Sequence, residues 1–179
     1  MRLPSMLRQL LTLCAISLLP LLSACTPTYD WREVHGATQP FYAYMPGKTS
    51  EYTRPVQLGP LKTDMTMTAT VVDGVTFAVG VAQMQNGKQA QDALAMMKEA
   101  MLRNIDGKVL HEQNSSAPYM QLQIEAAGVQ QLGANRNPVL MLARFVAVEN
   151  RIYQVLVLGS DRPKMREAAD TFLTSFKPT

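Results

Sequence analysis

The chain has 179 residues, 47% of them hydrophobic, with 17 basic against 14 acidic side chains and a net charge of +3. That apolar content is enough to bury a core, which excludes a disordered chain, and the near balance of charge excludes a strongly basic nucleic-acid surface. Two cysteines exclude a disulfide scaffold and a cysteine-rich metal site.

The first predicted element is a leader. Arg2 and Arg8 form a positive start, residues 10–22 are almost wholly apolar, and the small residues Ser23 and Ala24 precede Cys25. The apolar run is shorter than the roughly 20 residues a helix needs to cross a bilayer, so it is expected to serve as a signal h-region. Leu22-Ser23-Ala24-Cys25 resembles the lipobox of bacterial lipoproteins. In that family the leader is cleaved before the cysteine, here between Ala24 and Cys25, and the cysteine is acylated. The resemblance implies removal of residues 1–24 and a membrane-lipid partner through acylated Cys25. Arg2, Arg8 and Cys14 would leave with the leader, taking most of the basic excess. Cys25 would then be the only cysteine and could form no intramolecular disulfide. Thr26 stands where, in lipoproteins of diderm bacteria, Asp favours the inner membrane; this implies the outer membrane, facing the periplasm. Residues 25–30 are expected to form a short tether reaching at most about 20 Å. A single domain over 31–179 follows.

Within that domain a short strand is expected to end at residues 41–45, followed by a Pro/Gly-punctuated stretch over 46–60. Residues 61–72 alternate through Met65, Met67, Ala69 and Val71 as a strand. Asp73-Gly74 is the favoured pair for a two-residue hairpin turn, since both positions need positive φ. After it, Val75, Phe77, Val79 and Val81 share one face and Thr76, Ala78, Gly80 and Ala82 the other. Large residues on one side and small ones on the other predict a sheet covered on both faces, with a helix close against the small side. Helical spacing of Ala90, Ala93, Leu94, Met97, Met101 and Ile105 predicts a helix over about 87–105, capped by Asn86 and ended by Gly107. Strands are predicted at 109–113 and 119–127 around an Asn114-Ser115-Ser116 turn. Residues 128–137, polar and rich in Gly and Asn, are expected to be an exposed loop. A second hairpin joins 139–148 to 152–158. Ser160 or Asp161 is expected to cap a last helix over about 162–176, with Pro163 near its first position. The expectation is an α+β domain: a mainly antiparallel sheet of about six to eight strands with two packed helices.

Two segments carry a family resemblance. Phe41-Tyr42-Ala43-Tyr44-Met45-Pro46-Gly47-Lys48 resembles the strand and Pro-Gly-Lys opening of the Mog1/PsbP-like superfamily. Arg151-Ile152-Tyr153-Gln154-Val155, with Phe172-Leu173-Thr174-Ser175-Phe176 closing the last helix, is similar to its ending. Members act mostly as assembly or binding modules and share no catalytic residues, so the resemblance implies a non-enzymatic role.

The chemistry-bearing residues agree with that. His35 and His111 are the only histidines; neither sits in a metal or triad motif, and a solvated loop or strand-edge imidazole accounts for each. Carboxylates are scattered, and no Gly-rich phosphate loop occurs. No cofactor or metal is expected. Methionine is the compositional oddity, 12 in all. Thioethers fill cores, line adaptable apolar pockets or bind Cu(I). Met97 and Met101 are therefore candidate ligand contacts, for a small apolar ligand carried between sheet and helix. Tyr42, among the aromatics near the tether, and Asn135 and Arg136, in the expected loop, are candidate partner contacts. The primary expectation is a lipid-anchored interaction module docking on an unknown envelope protein or complex. The alternative is a carrier of a small apolar ligand, with Cu(I) behind it.

Overall fold

Strict alternation of inward and outward side chains organises this chain around a sheet with two different faces. A computed structural model describes residues 27–37 and 40–179. The leader, Cys25 and the cleavage point lie outside the described residues. In chain order the elements are β1 (Arg32–His35), β2 (Phe41–Met45), β3 (Ser50–Leu58), β4 (Leu61–Val72), β5 (Val75–Gln83), α1 (Gly87–Asn104), β6 (Lys108–Ser115), β7 (Met120–Leu132), β8 (Asn135–Val148), β9 (Arg151–Gly159), α2 (Pro163–Ser175) and β10 (Lys177–Pro178). The domain is α+β. Seven strands form one sheet in the order β3-β4-β5-β9-β8-β7-β6, and β1-β2-β10 form a separate three-stranded sheet. Every strand pair in both is antiparallel.

The two faces of β5 bury different things, as its alternation predicts. Val75, Phe77, Val79 and Val81 meet Met165, Phe172 and Leu173 of α2 and Phe41 and Met45 of β2 in one core. Ala78 and Ala82 belong to the other core, with Leu94 and Met97 of α1 and Met65 and Met67 of β4. The small face makes room for thioethers: a Cβ on Gly80 would stand 2.6 Å from Met67 Sδ and 3.0 Å from Met65 Sδ. The layers are thus α1, then the large sheet, then α2 beside the small sheet.

Local signals set the joints. Asp73 and Gly74 both have positive φ, at 51° and 73°, as the tight hairpin requires. Asn86 caps α1 by accepting from the Gln89 amide at 3.0 Å, and the Gln89 side chain in turn accepts from the Gln85 amide at 2.8 Å. The helix stops just ahead of Gly107, as expected. Asp106, not Gly107, takes the left-handed position with φ 47°. The Gly107 and Asp106 amides turn back to the Leu102 and Arg103 carbonyls, so the last turn is closed by backbone.

Three expectations need correction. Residues 128–137 are not a loop: β7 and β8 continue paired through Gln130 with Asn137, Gln131 with Arg136 and Leu132 with Asn135. The hairpin turns only at Gly133, whose φ is 62°. Its end is polar because the start of β8 is exposed, which removes the apolar alternation that marks a half-buried strand. Neither Ser160 nor Asp161 caps α2; the cap is Arg162, with no side-chain bond. Arg166 holds the Asp161 carboxylate instead, at 2.6 and 2.9 Å. Finally, residues 50–58 form an edge strand. Pro55 obscures it in sequence, yet on an edge its missing N–H costs no ladder bond.

Candidate functional site

The sites singled out in sequence fall in three separate places. Met97 and Met101 lie on α1 over the small-residue face, Met97 fully buried and Met101 half-buried. Tyr42 lies on β2 in the other layer. Its ring stands 5.5 Å from that of Tyr44 and 5.4 Å from that of His35, with Lys177 Nζ 5.7 Å above it. The hydrogen bond with Tyr44, together with burial, pushes the Tyr42 hydroxyl up to about 12. Asn135 and Arg136 sit at the start of β8. Arg136 donates to Asp106 at 3.0 Å, which ties the hairpin to the end of α1. Cys25 is outside the described residues.

The histidines are at strand edges. His35 pairs with Glu33 at 2.9 Å on exposed β1, and His111 lies exposed on β6, the edge of the large sheet. Among the described residues no group of three or more His, Cys, Asp or Glu could hold a metal ion, and no described helix is long and apolar enough to cross a membrane. Tyr153 is raised chiefly by burial, its hydroxyl donating to the Pro40 and Thr179 carbonyls at 3.2 and 3.4 Å. These bonds fasten the two sheets and the chain end together.

Tyr42 lines an open hollow with Tyr44, Asp170 and Lys177, and the methionine pair lines a cleft on the other face of the large sheet. This cleft, of about 270 Å³, opens between edge strand β3 and the second half of α1. Its lining includes Met65, Met97, Met101, Arg54, Arg103 and Gln154, and no Asp or Glu. Register explains the company. Arg54 is opposite Met65 on β3 and β4, and Gly80 of β5 is opposite both Met67 and Gln154. Side chains on one row of a sheet share a face, so Arg54, the methionines and Gln154 all look toward α1. At Gly80 the sheet has no side chain, and the thioethers fold over it.

Gln154 is the unexpected member. It is only 6% exposed in an otherwise apolar strand. Its carboxamide makes no hydrogen bond to a described residue, and no described side-chain N or O is both sealed from solvent and unpartnered. Its polar atoms therefore open on the cleft. One polar residue within Ile152-Tyr153-Gln154-Val155-Leu156-Val157 is a readable signal, since Gln breaks an apolar run buried on both faces. Arg54 had no such signal because its strand was not legible.

Compared with known proteins, the chain matches no family model and no curated protein.

Proposed function

We propose that this chain is a bacterial lipoprotein, acylated at Cys25, that acts as a non-enzymatic interaction or assembly module on the periplasmic face of the outer membrane. The observation that carries the reading is the Leu22-Ser23-Ala24-Cys25 motif. Where the fold's contacts begin supports it. The Tyr29 ring packs 6.1 Å from Phe77 and its hydroxyl donates to the Lys164 carbonyl at 3.5 Å. The Asp30 amide donates to the Pro46 carbonyl at 3.0 Å. The domain is therefore tied down four residues after the acylated position, which suits a module working at the membrane surface and not one reaching across the periplasm.

The domain is assigned to the Mog1/PsbP-like fold within this proposal. Its support is the packing of the two resembling segments on each other: the Phe41 and Phe176 rings lie 6.3 Å apart, and Phe172 and Leu173 are buried against the same core.

The test is crosslinking in cells, wild type against Cys25→Ser carrying a cleavable leader. A protein partner captured only by the acylated form is the expected result. Absence of any reproducible partner in both forms overturns the docking role. Membrane fractionation of Cys25→Ala tests the anchor separately, since retention in the membrane at unchanged processed size overturns acylation at Cys25. A second reading, a carrier of a small apolar ligand, is favoured by one observation, the thioether-lined cleft between β3 and α1.

A further inference from the structure

We propose that the β3–α1 cleft binds a single-chain amphipathic anion, its chain against Met65, Met97 and Met101 and its acidic head between Arg54 and Arg103. The proposal rests on the carrier reading and names the ligand class; it does not depend on acylation of Cys25.

Charge placement carries it. Among the described residues every other arginine has a partner. Arg32, Arg136, Arg162 and Arg166 sit on carboxylates, Arg144 donates to Gln121, and Arg151 donates to the Thr179 carbonyl. Arg54 and Arg103 have neither an ion pair nor a side-chain hydrogen bond to a described residue, and both line this one cleft. A guanidinium presents paired N–H donors that match a carboxylate or phosphate. The negative end of the α1 dipole accounts for a cation in its last turn, but it says nothing about Arg54 on a different element. The helix end does not compete for the cations either, because the Leu102 and Arg103 carbonyls already accept from Gly107, Asp106 and Ile105.

Beneath the two cations the surface turns apolar. Met65 is 3% exposed and Met97 fully buried, while Met101 is half-buried. Unbranched thioethers adapt to a flexible chain. Gln154, with Gln57 and Asn104, adds polar contacts beside the thioethers, as ligand pockets commonly do, and the cleft, at about 270 Å³, falls just below their usual range. A cationic rim over an apolar floor selects a ligand with both properties. A fatty acid and a single-chain phospholipid share that chemistry and differ in the head.

The experiment titrates octanoate, octyl phosphate and octanol into the purified Cys25→Ser chain labelled at the methionine methyls, with affinity read by calorimetry. The expected result is binding of octanoate or octyl phosphate that shifts the Met97 and Met101 methyls and weakens with salt, with octanol about ten-fold weaker. Whichever anion binds tighter identifies the source. Arg54→Gln and Arg103→Gln, both exposed and unpaired, should each weaken the anion roughly three-fold and leave octanol unchanged. Octanol binding as tightly as the anions overturns this proposal while leaving the carrier reading standing. No binding by any of the three, with unmoved methyls, overturns both.

Discussion

At Gly128 the backbone of β7 meets the end of α1 too closely for any side chain. Gly128 lies in the stretch whose Gly/Asn content suggests a loop, yet it is a strand residue paired with Val139. Its role is close approach. A Cβ there would run into the Ile105 carbonyl oxygen, which accepts from the Val129 amide at 2.6 Å, and would also stand 2.8 Å from the Ile105 side chain. The end of α1 is thus bonded directly onto β7 at a point where no side chain fits. Gly80 is also crowded, but by methionine sulfurs that can swing aside. Backbone cannot yield so easily. Gly128→Ala should therefore destabilise the domain by about 1 to 3 kcal/mol and Gly80→Ala by less. Urea unfolding of the two variants side by side checks the order; equal midpoints would show that α1 can shift away from β7 at little cost.

At the scale of elements, helix α1 illustrates a fully local instruction. Asn86, Gln89 and the apolar stripe specify where it begins and which side it buries, before any tertiary contact is considered. Asn86→Ala removes the bond to the Gln89 amide and should cost about 1 kcal/mol, read as a lower unfolding midpoint with an unchanged m-value. Strands β4, β5 and β9 were legible for a similar reason, since each is bounded by turn residues and carries an alternating or continuous run of apolar side chains that the sheet buries. Strand β3 and the far end of the β7–β8 hairpin were not. Strand β3 is exposed along most of its length and contains Pro55, so neither period nor composition marks it. The β7–β8 hairpin end is polar because it stands in solvent. The cleft inherits this limit. Met97 and Met101 were visible on the helical stripe, but Arg54 became part of a site only when β3 was placed beside α1, a juxtaposition set by sheet order and not by local sequence. Tyr42 lies on the small sheet while Asn135 and Arg136 lie together at the start of β8, and nothing local told which layer or which end each would occupy.

The whole molecule is defined by how little chain separates its proposed anchor from its first fixed contact. Thr26, Pro27 and Thr28 are the only residues between Cys25 and Tyr29, and four fully extended steps span at most about 14 Å. Tyr29 is in turn held against Phe77 and the start of α2. With Cys25 acylated, Lys164 and the first turn of α2 are confined near the headgroups, while rotation about the tether remains free. Inserting about twenty Gly/Ser residues between Thr28 and Tyr29 would raise the root-mean-square reach of the tether by roughly 25 Å. The expected outcome is a large drop in photocrosslinking from lipid headgroups to α2, with unchanged membrane fractionation and unchanged thermal unfolding, because neither the anchor nor the core is touched. If crosslinking to α2 persists at full strength, the domain is held to the membrane by its own surface and not by tether length. If the partner captured in cells is lost along with the lipid crosslink, proximity to the bilayer is part of how the module finds what it binds.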